Sequence, residues 1–370
     1  MRILFYDKSL INLLQKEENA SGGAAVQTFG WARGLKEIGN DVWLLTNPAP
    51  SRSLKEESLD FNLIPLFDEK KGIRWLRWIY YRFPDTYKKI KKVRPDYLYQ
   101  SVPGWACFLI GIMCKQLKVK YILRISNDYF LDERFHRLHS PFQEYFMKKG
   151  MKMTDCILCQ NDYQLGIIQR NFPNKKVVKI ANPIIYQNNG QLSQATSERG
   201  YIAWLGIFQY QKNLHLLYEI ASKLKNEQFW IAGKETNKID NATLQDLKRL
   251  KTLPNVTFMG FLSRKEVPPF LKNAKYLLNT SHYEGFSNTF LEAMVVGTPI
   301  LSTENVNPDG IIDGYQLGLI YKDANGLARL LEEINPESYR QMSENVIRYV
   351  DKNHHYKVLA RKLVDILHQP

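Results

Sequence analysis

Short apolar runs recur along this chain of 370 residues, and each is followed by a stretch whose apolar residues repeat at helical spacing. Residues 1–6, 42–46, 97–99, 121–125, 156–160 and 177–180 form one set; residues 201–206, 229–233, 256–260, 276–280, 300–302 and 317–321 form a second. Runs this short and this apolar are covered on both faces. Parallel strands need crossover connections, and helices between them supply these, so each set predicts a parallel sheet with helices on both sides. Asn182-Pro183 closes the first set, and the polar residues 187–199 read as a linker. The expected fold class is α/β, with doubly wound domains at 1–185 and 186–350 and a basic amphipathic helix near 356–367 in the closing segment 351–370.

The most informative stretch is Ser281-His-Tyr-Glu284-Gly285-Phe286-Ser287-Asn288-Thr289-Phe-Leu-Glu292-Ala-Met-Val-Val-Gly297. It reads as a strand, a short polar loop, a helix ended by Gly297 and Pro299, and a further strand. A helix starting near Ser287, its expected N-cap, aims free N–H groups and a positive dipole end into the loop, which suits a phosphate. Phe290 at the third helical position rules out a capping box. Glu292 then stands about 7 Å along the axis at 1.5 Å per residue. That matches the span from a diphosphate to the hydroxyls of a ribose, while Glu284 stays at the mouth of the loop. Taken singly, either glutamate is an ordinary surface residue; the whole string carries the nucleotide-sugar reading.

Two glutamates eight apart in this setting resemble the paired-glutamate motif of retaining GT-B glycosyltransferases of family 4. The resemblance implies two Rossmann-like domains facing a cleft, a UDP- or GDP-sugar donor on the second domain, and a glycan or polyprenyl-linked acceptor on the first. It implies that Glu284 faces the transferred sugar, that Glu292 binds the ribose, and that Gly285, Phe286, Ser287, Asn288 and Thr289 surround the diphosphate. Gly206 and Lys212 match the family's phosphate-binding glycine and lysine, but Ile207 stands where an arginine is usual. Gly22 and Gly23, ahead of the first helix, resemble the glycine pair that approaches donor phosphate and acceptor; a lone pair of glycines also makes a tight turn. No GxGxxG accompanies them, so no dinucleotide cofactor is read. Asn127 and Asp128 follow the strand where the family often has histidine and an acid; an amide there keeps hydrogen bonding and loses any proton-transfer role. Glycines 233 and 260 end their runs, and Arg264 and Lys265 are candidates for the base pocket. The family also implies retention of configuration with the leaving phosphate as base, no metal and no cofactor, and a closing helix that packs back on the first domain.

Composition sets the remaining bounds. The net charge is +14, and residues 1–185 carry 30 Lys and Arg against 18 Asp and Glu. A negatively charged partner should therefore meet the first half. Residues 70–82 interleave cations with Trp75, Trp78 and tyrosines; at helical spacing Trp75, Trp78, Ile79 and Arg82 share a face. That face suits either an anionic bilayer or the domain core. No nucleic-acid module accompanies it. Cys156 and Cys159 have CxxC spacing, yet strand residues three apart face opposite ways. His354-His355 lacks companion ligands, so no metal is read. The chain opens without a signal pattern, and its longest apolar run, 106–114, is about half of a membrane span. A cytoplasmic protein, peripheral on the inner membrane face, is expected. Three other classes stay open: a sugar-nucleotide epimerase of the same architecture, a longer phosphorylase-type enzyme with pyridoxal phosphate, and a non-catalytic nucleotide-sugar-binding scaffold.

Overall fold

The computed structural model describes residues 1–16, 22–50, 53–73, 76–137, 139–186, 199–235 and 239–369. Trp75 and the linker residues 187–198 lie outside these. The chain divides into two compact units, Met1–Ile185 with Tyr356–Pro370, and Tyr186–His355.

In the first unit, strands β1 (Arg2–Tyr6), β2 (Asp41–Thr46), β3 (Asn62–Pro65), β4 (Tyr97–Gln100), β5 (Lys120–Arg124), β6 (Cys156–Cys159) and β7 (Lys176–Lys179) form one sheet. Their order is β3-β2-β1-β4-β5-β6-β7, and every pair is parallel. The apolar runs behave as their composition demands, because successive residues enter opposite cores. Ile3 and Phe5 join Trp31, Leu35 and Leu44 on one face; Leu4 and Tyr6 join Leu98, Ile110 and Met113 on the other. Cys156 and Cys159 likewise fall into different clusters, and both are free thiols. The strand β3 is a partly exposed edge strand whose apolar pair Leu63-Ile64 is cut short by Pro65.

The second unit repeats the plan. Its strands β8 (Tyr201–Phe208), β9 (Phe229–Glu235), β10 (Val256–Gly260), β11 (Ala274–Leu278), β12 (Ile300–Thr303) and β13 (Gly318–Tyr321) lie in the order β10-β9-β8-β11-β12-β13, all parallel. Both sheets are thus doubly wound, with the reversal of strand order between β1 and β4 and between β8 and β11. Doubly wound sheets take ligands beyond the carboxyl ends of the strands at that reversal.

The expected starting point of the closing segment needs correcting. No helix breaker interrupts Pro336–His354, so residues 351–355 stay with the second unit, and His355 (φ −61°, ψ 121°) ends that helix. The helix Tyr356–His368 belongs to the first unit and lies along the helix Gly23–Glu37, where Gly34 leaves room: a Cβ there would sit 2.7 Å from the Tyr356 carbonyl oxygen. The contact is locked by Glu37, which accepts from the Tyr356 hydroxyl at 2.7 Å and from Lys357 at 2.9 Å, and also pairs with Arg33. Burial pushes the Glu37 carboxyl up, but the three donors outweigh it and hold the group down from its ordinary 4.5 to about 2. A depressed carboxylate stabilises the fold above its unfolded pKa, and that contribution is lost as pH falls through the folded value. Urea unfolding should therefore show stability falling between pH 4.5 and about 2 more steeply in the native chain than in Glu37→Gln. Parallel curves would rule out this role.

The basic, aromatic turn also departs from its sequence pattern. Trp78–Arg82 is a π-helical turn, closed by a bond from the Phe83 N–H to the Trp78 carbonyl. The 3.6-residue spacing fails there. Trp78 packs edge-on against Phe67 and Trp105, at 5.5 and 4.9 Å, and Arg82 is buried over Phe67. Ile79 instead faces solvent, 74% exposed.

Candidate active site

At the carboxyl edge of the second sheet, β8 and β9 approach unusually closely. Gly206 and Gly233 are in register, and a Cβ on Gly233 would lie 2.1 Å from the Gly206 carbonyl oxygen. Gly233 therefore serves close strand approach, whereas a Cβ on Gly206 would meet the side chains of Trp204 at 3.0 Å and Lys212 at 3.4 Å; the strands run on past both to Phe208 and Glu235. The apolar runs predict that each strand ends at its glycine; the pairing itself carries them further. The same register sets Lys234 beside Ile207. A cation thus stands one strand over from the position where the resemblance leaves an arginine missing.

After β8 the chain turns through Tyr210–Lys212, and Asn213, left-handed at φ 49°, caps the helix Leu214–Lys223 through its side chain. Asn adopts that backbone region more readily than other non-glycine residues. This turn is bolted to the loop after β11. The Gln211 carbonyl accepts from the His282 N–H at 2.8 Å, and the Gln211 amide donates to the Tyr283 carbonyl at 2.9 Å. The Thr280 hydroxyl donates to the Lys212 carbonyl at 2.8 Å and accepts from Trp204 at 3.1 Å. Tyr210 stacks on His282 at 4.8 Å.

This clamp brings Lys212 onto Glu284. The Lys212 ammonium pairs with Oε1 of Glu284, and the Ser281 hydroxyl donates to the same oxygen at 3.1 Å. Their side chains are 15% and 11% exposed, so the pair is largely withdrawn from water. A second pair lies on the following helix, Asn288–Val295. Glu292 stands in its second turn, as its spacing predicts, and its Oε1 pairs with Arg264. Among the described residues Oε2 of Glu292 accepts no hydrogen bond. The guanidinium of Arg264, a candidate for the base pocket, lies on this carboxylate, a partnership no local pattern signals. Ser281 did have a signal, since serine three residues before Glu284 is within side-chain reach in a tight turn.

Two loop residues behave differently from expectation. Ser287 occupies the N-cap position but makes no capping bond, because its hydroxyl is engaged with that of Thr289 at 2.9 Å. Phe286 packs on His354 at 5.2 Å and on Phe290 at 6.4 Å, so its ring is part of the support beneath the loop. Gly285, Asn288 and Thr289 complete the turn into the helix.

The other predicted residues lie in the first unit, at the carboxyl edge of its sheet. Gly22 precedes the helix Gly23–Glu37 with an unstrained φ of −66°, and a Cβ there would touch nothing within 4 Å. The backbone of Gly22 does not itself require glycine. Asn127 caps the turn Asp128–Leu131 by accepting from the Tyr129 N–H at 3.3 Å. Asp128 holds Asn161 and Gln164 through Oδ1, at 3.1 and 2.7 Å, tying that turn to the helix Asp162–Asn171. Burial pushes its carboxyl up, against the pull of the two amides. Beneath them Arg124 is wholly buried, held by Gln27, the Ile180 carbonyl and Asn182.

Residues 21–187 match the family described as Glycosyltransferase Family 4, and residues 199–335 match Glycosyl transferases group 1. The alpha-monoglucosyldiacylglycerol synthase of Streptococcus pneumoniae is 23% identical over 331 residues, 78% of this chain and 67% of the relative. Two further curated relatives, 27% and 25% identical, are spanned over only 56% and 54% of their own length. Among solved structures, sucrose-phosphate synthase of Thermosynechococcus elongatus aligns with a TM-score of 0.75 at 16% identity, covering 100% of this chain and 98% of that one. Anabaena HepE, solved with UDP and glucose, aligns at 0.70 and 13%, covering 99% of each. At these identities the likeness is one of fold, and the fold is GT-B, built from two Rossmann-like domains. With both halves matched in turn, the chain belongs to glycosyltransferase family 4 of the glycosyl transferases group 1 enzymes.

Proposed function

We propose that this chain is a retaining glycosyltransferase that moves a sugar from a UDP- or GDP-sugar to a glycan or lipid-linked acceptor. The observation that carries the reading is the pair of glutamates at the β8/β11 reversal. Each is already oriented by a cation, and together they flank the start of one helix. In this reading the first N–H groups of Asn288–Val295 and the ammonium of Lys212 hold the donor diphosphate. Lys234, beside Ile207, offers the second positive charge. The open oxygen of Glu292 accepts from the ribose hydroxyls. Glu284 orients the transferred sugar and stabilises the positive charge that develops at its anomeric carbon. A leaving phosphate oxygen takes the acceptor proton on the face it departs from, which retains configuration. These groups neutralise the diphosphate from the protein side, so the reaction is written without a metal.

Support for a lipid-borne acceptor comes from the charge of residues 1–185 and from the name of the pneumococcal relative, a diacylglycerol-lipid synthase. No described helix is long and apolar enough to cross a membrane, so peripheral attachment is the form proposed.

The reading is tested by incubating the protein with a panel of nucleotide sugars and measuring nucleotide release and thermal shift. Release of UDP or GDP from one donor, rising with an acceptor glycolipid, is expected. Binding without release would favour the scaffold, interconversion of UDP-sugars without acceptor would favour the epimerase, and no binding of any donor would end the proposal.

A further inference from the structure

The helices Ala106–Leu117 and Pro141–Met151 in the first unit touch backbone to backbone: a Cβ on Gly150 would lie 2.5 Å from backbone atoms of Cys107 and Phe108. This contact buries Met147, Gly150 and Met151 and turns the opposite side of Pro141–Met151 outward. Along that outer side stand Phe142, Tyr145, Lys149 and, at the end of the helix, Lys152. Phe142 and Tyr145 are 68% and 56% exposed. Both rings rest edge-on against Phe146, which is itself edge-on to Phe108. Exposed aromatic surface is therefore held in place at one end of the helix and cations at the other.

At the basic end a hollow of about 420 Å³ opens, lined by Lys115, Lys118, Lys120 and Lys152, with Asp155 the one acidic residue in its lining. Asp155 accepts from the Tyr121 N–H at 2.7 Å, and Lys120 reaches the Tyr97 hydroxyl at 3.5 Å. Lys148, nearby, is paired with Glu144 at 2.7 Å. None of these residues has a part in the donor chemistry.

We infer that this helix pair is a docking face for an anionic phospholipid bilayer, with a lipid phosphate seated in the lysine-lined hollow. Amphipathic aromatic rings beside lysines suit the boundary between headgroups and acyl chains, and the lysines draw in anionic lipid. An acidic soluble partner would account for the lysines alone and leave Phe142 unexplained. Trp78 contacts Trp105 at the start of Ala106–Leu117, and its chain neighbours Leu76 and Ile79 are exposed. The inference deepens the proposed function and rests on its lipid-borne acceptor.

The test uses the full chain, sedimented at low salt with phosphatidylglycerol vesicles or with phosphatidylcholine vesicles. Binding to phosphatidylglycerol alone, reversed by salt, is expected. The double variants Lys115→Glu/Lys152→Glu and Phe142→Ser/Tyr145→Ser should each weaken it about tenfold or more. Their UDP affinity and unfolding midpoint should match the native chain, which separates lost docking from lost folding. A native chain that stays in the supernatant, or variants that sediment normally, would overturn the inference. So would inorganic pyrophosphate that fills the hollow while vesicle binding persists, since the hollow would then be a solute site. Vesicle binding without any donor binding would instead sink the proposed function and leave the surface standing.

Discussion

Glu284→Gln should lower kcat by about 10²–10³-fold while leaving donor affinity unchanged or slightly improved. The asymmetry follows from the ion pair. In the native chain Glu284 takes the Lys212 ammonium and the Ser281 hydroxyl on one oxygen, in a setting with little water. Glutamine keeps the shape and a carbonyl for Ser281 but removes the negative charge that the developing positive sugar needs. It also frees Lys212 from its counter-charge, so the lysine interacts more strongly with a diphosphate in the ground state. Steady-state kinetics with a parallel UDP titration would separate the two effects. A rise in KM at constant kcat would show that Glu284 only binds donor.

The second large effect is expected at Glu292. Glu292→Ala should weaken nucleotide binding by about 1.5–3 kcal/mol, the range of a hydrogen bond to a charged group. Two consequences compete here, because the change also releases Arg264. A freed guanidinium near a diphosphate adds attraction and masks part of the loss, so the double variant Glu292→Ala/Arg264→Ala should bind more weakly than the single one. The ribose role has its own signature. The native chain should prefer UDP to 2′-deoxy-UDP, and Glu292→Ala should bind the two about equally. An alanine variant that binds UDP as well as the native chain would show that Arg264 keeps the carboxylate from the ligand.

The two ion pairs lie beyond what local spacing specifies. Glu284 and Glu292 stood out because they lie on one strand, loop and helix, whose geometry follows from local spacing. Their partners do not share that stretch: Lys212 is 72 residues from Glu284, and Arg264 is 28 from Glu292. Local spacing points Lys212 at a diphosphate and Arg264 at a base; the fold places each against a carboxylate. Opposite charges brought to the same sheet edge attract, and nothing in local spacing shows that they will meet. The aromatic turn failed for a different reason. Its face was drawn with 3.6 residues per turn, and an i→i+5 turn moved Ile79 out and left Trp78 in. The edge strand β3 carries no clear signal because Pro65 interrupts its apolar residues, and proline argues against a paired strand interior.

Alone, the order of amino acids determined that this chain builds two doubly wound sheets, since apolar runs of three to six residues between helices have no other way to cover both faces. It also set the two glutamates on one loop and helix, through spacing that backbone geometry makes obligatory. Only the tertiary structure decided which cation meets which carboxylate, that Gly233 serves the close approach of two strands, and which aromatic rings face water. Those outcomes depend on side chains far apart in sequence being brought to one edge, and on the space left once the strands have packed.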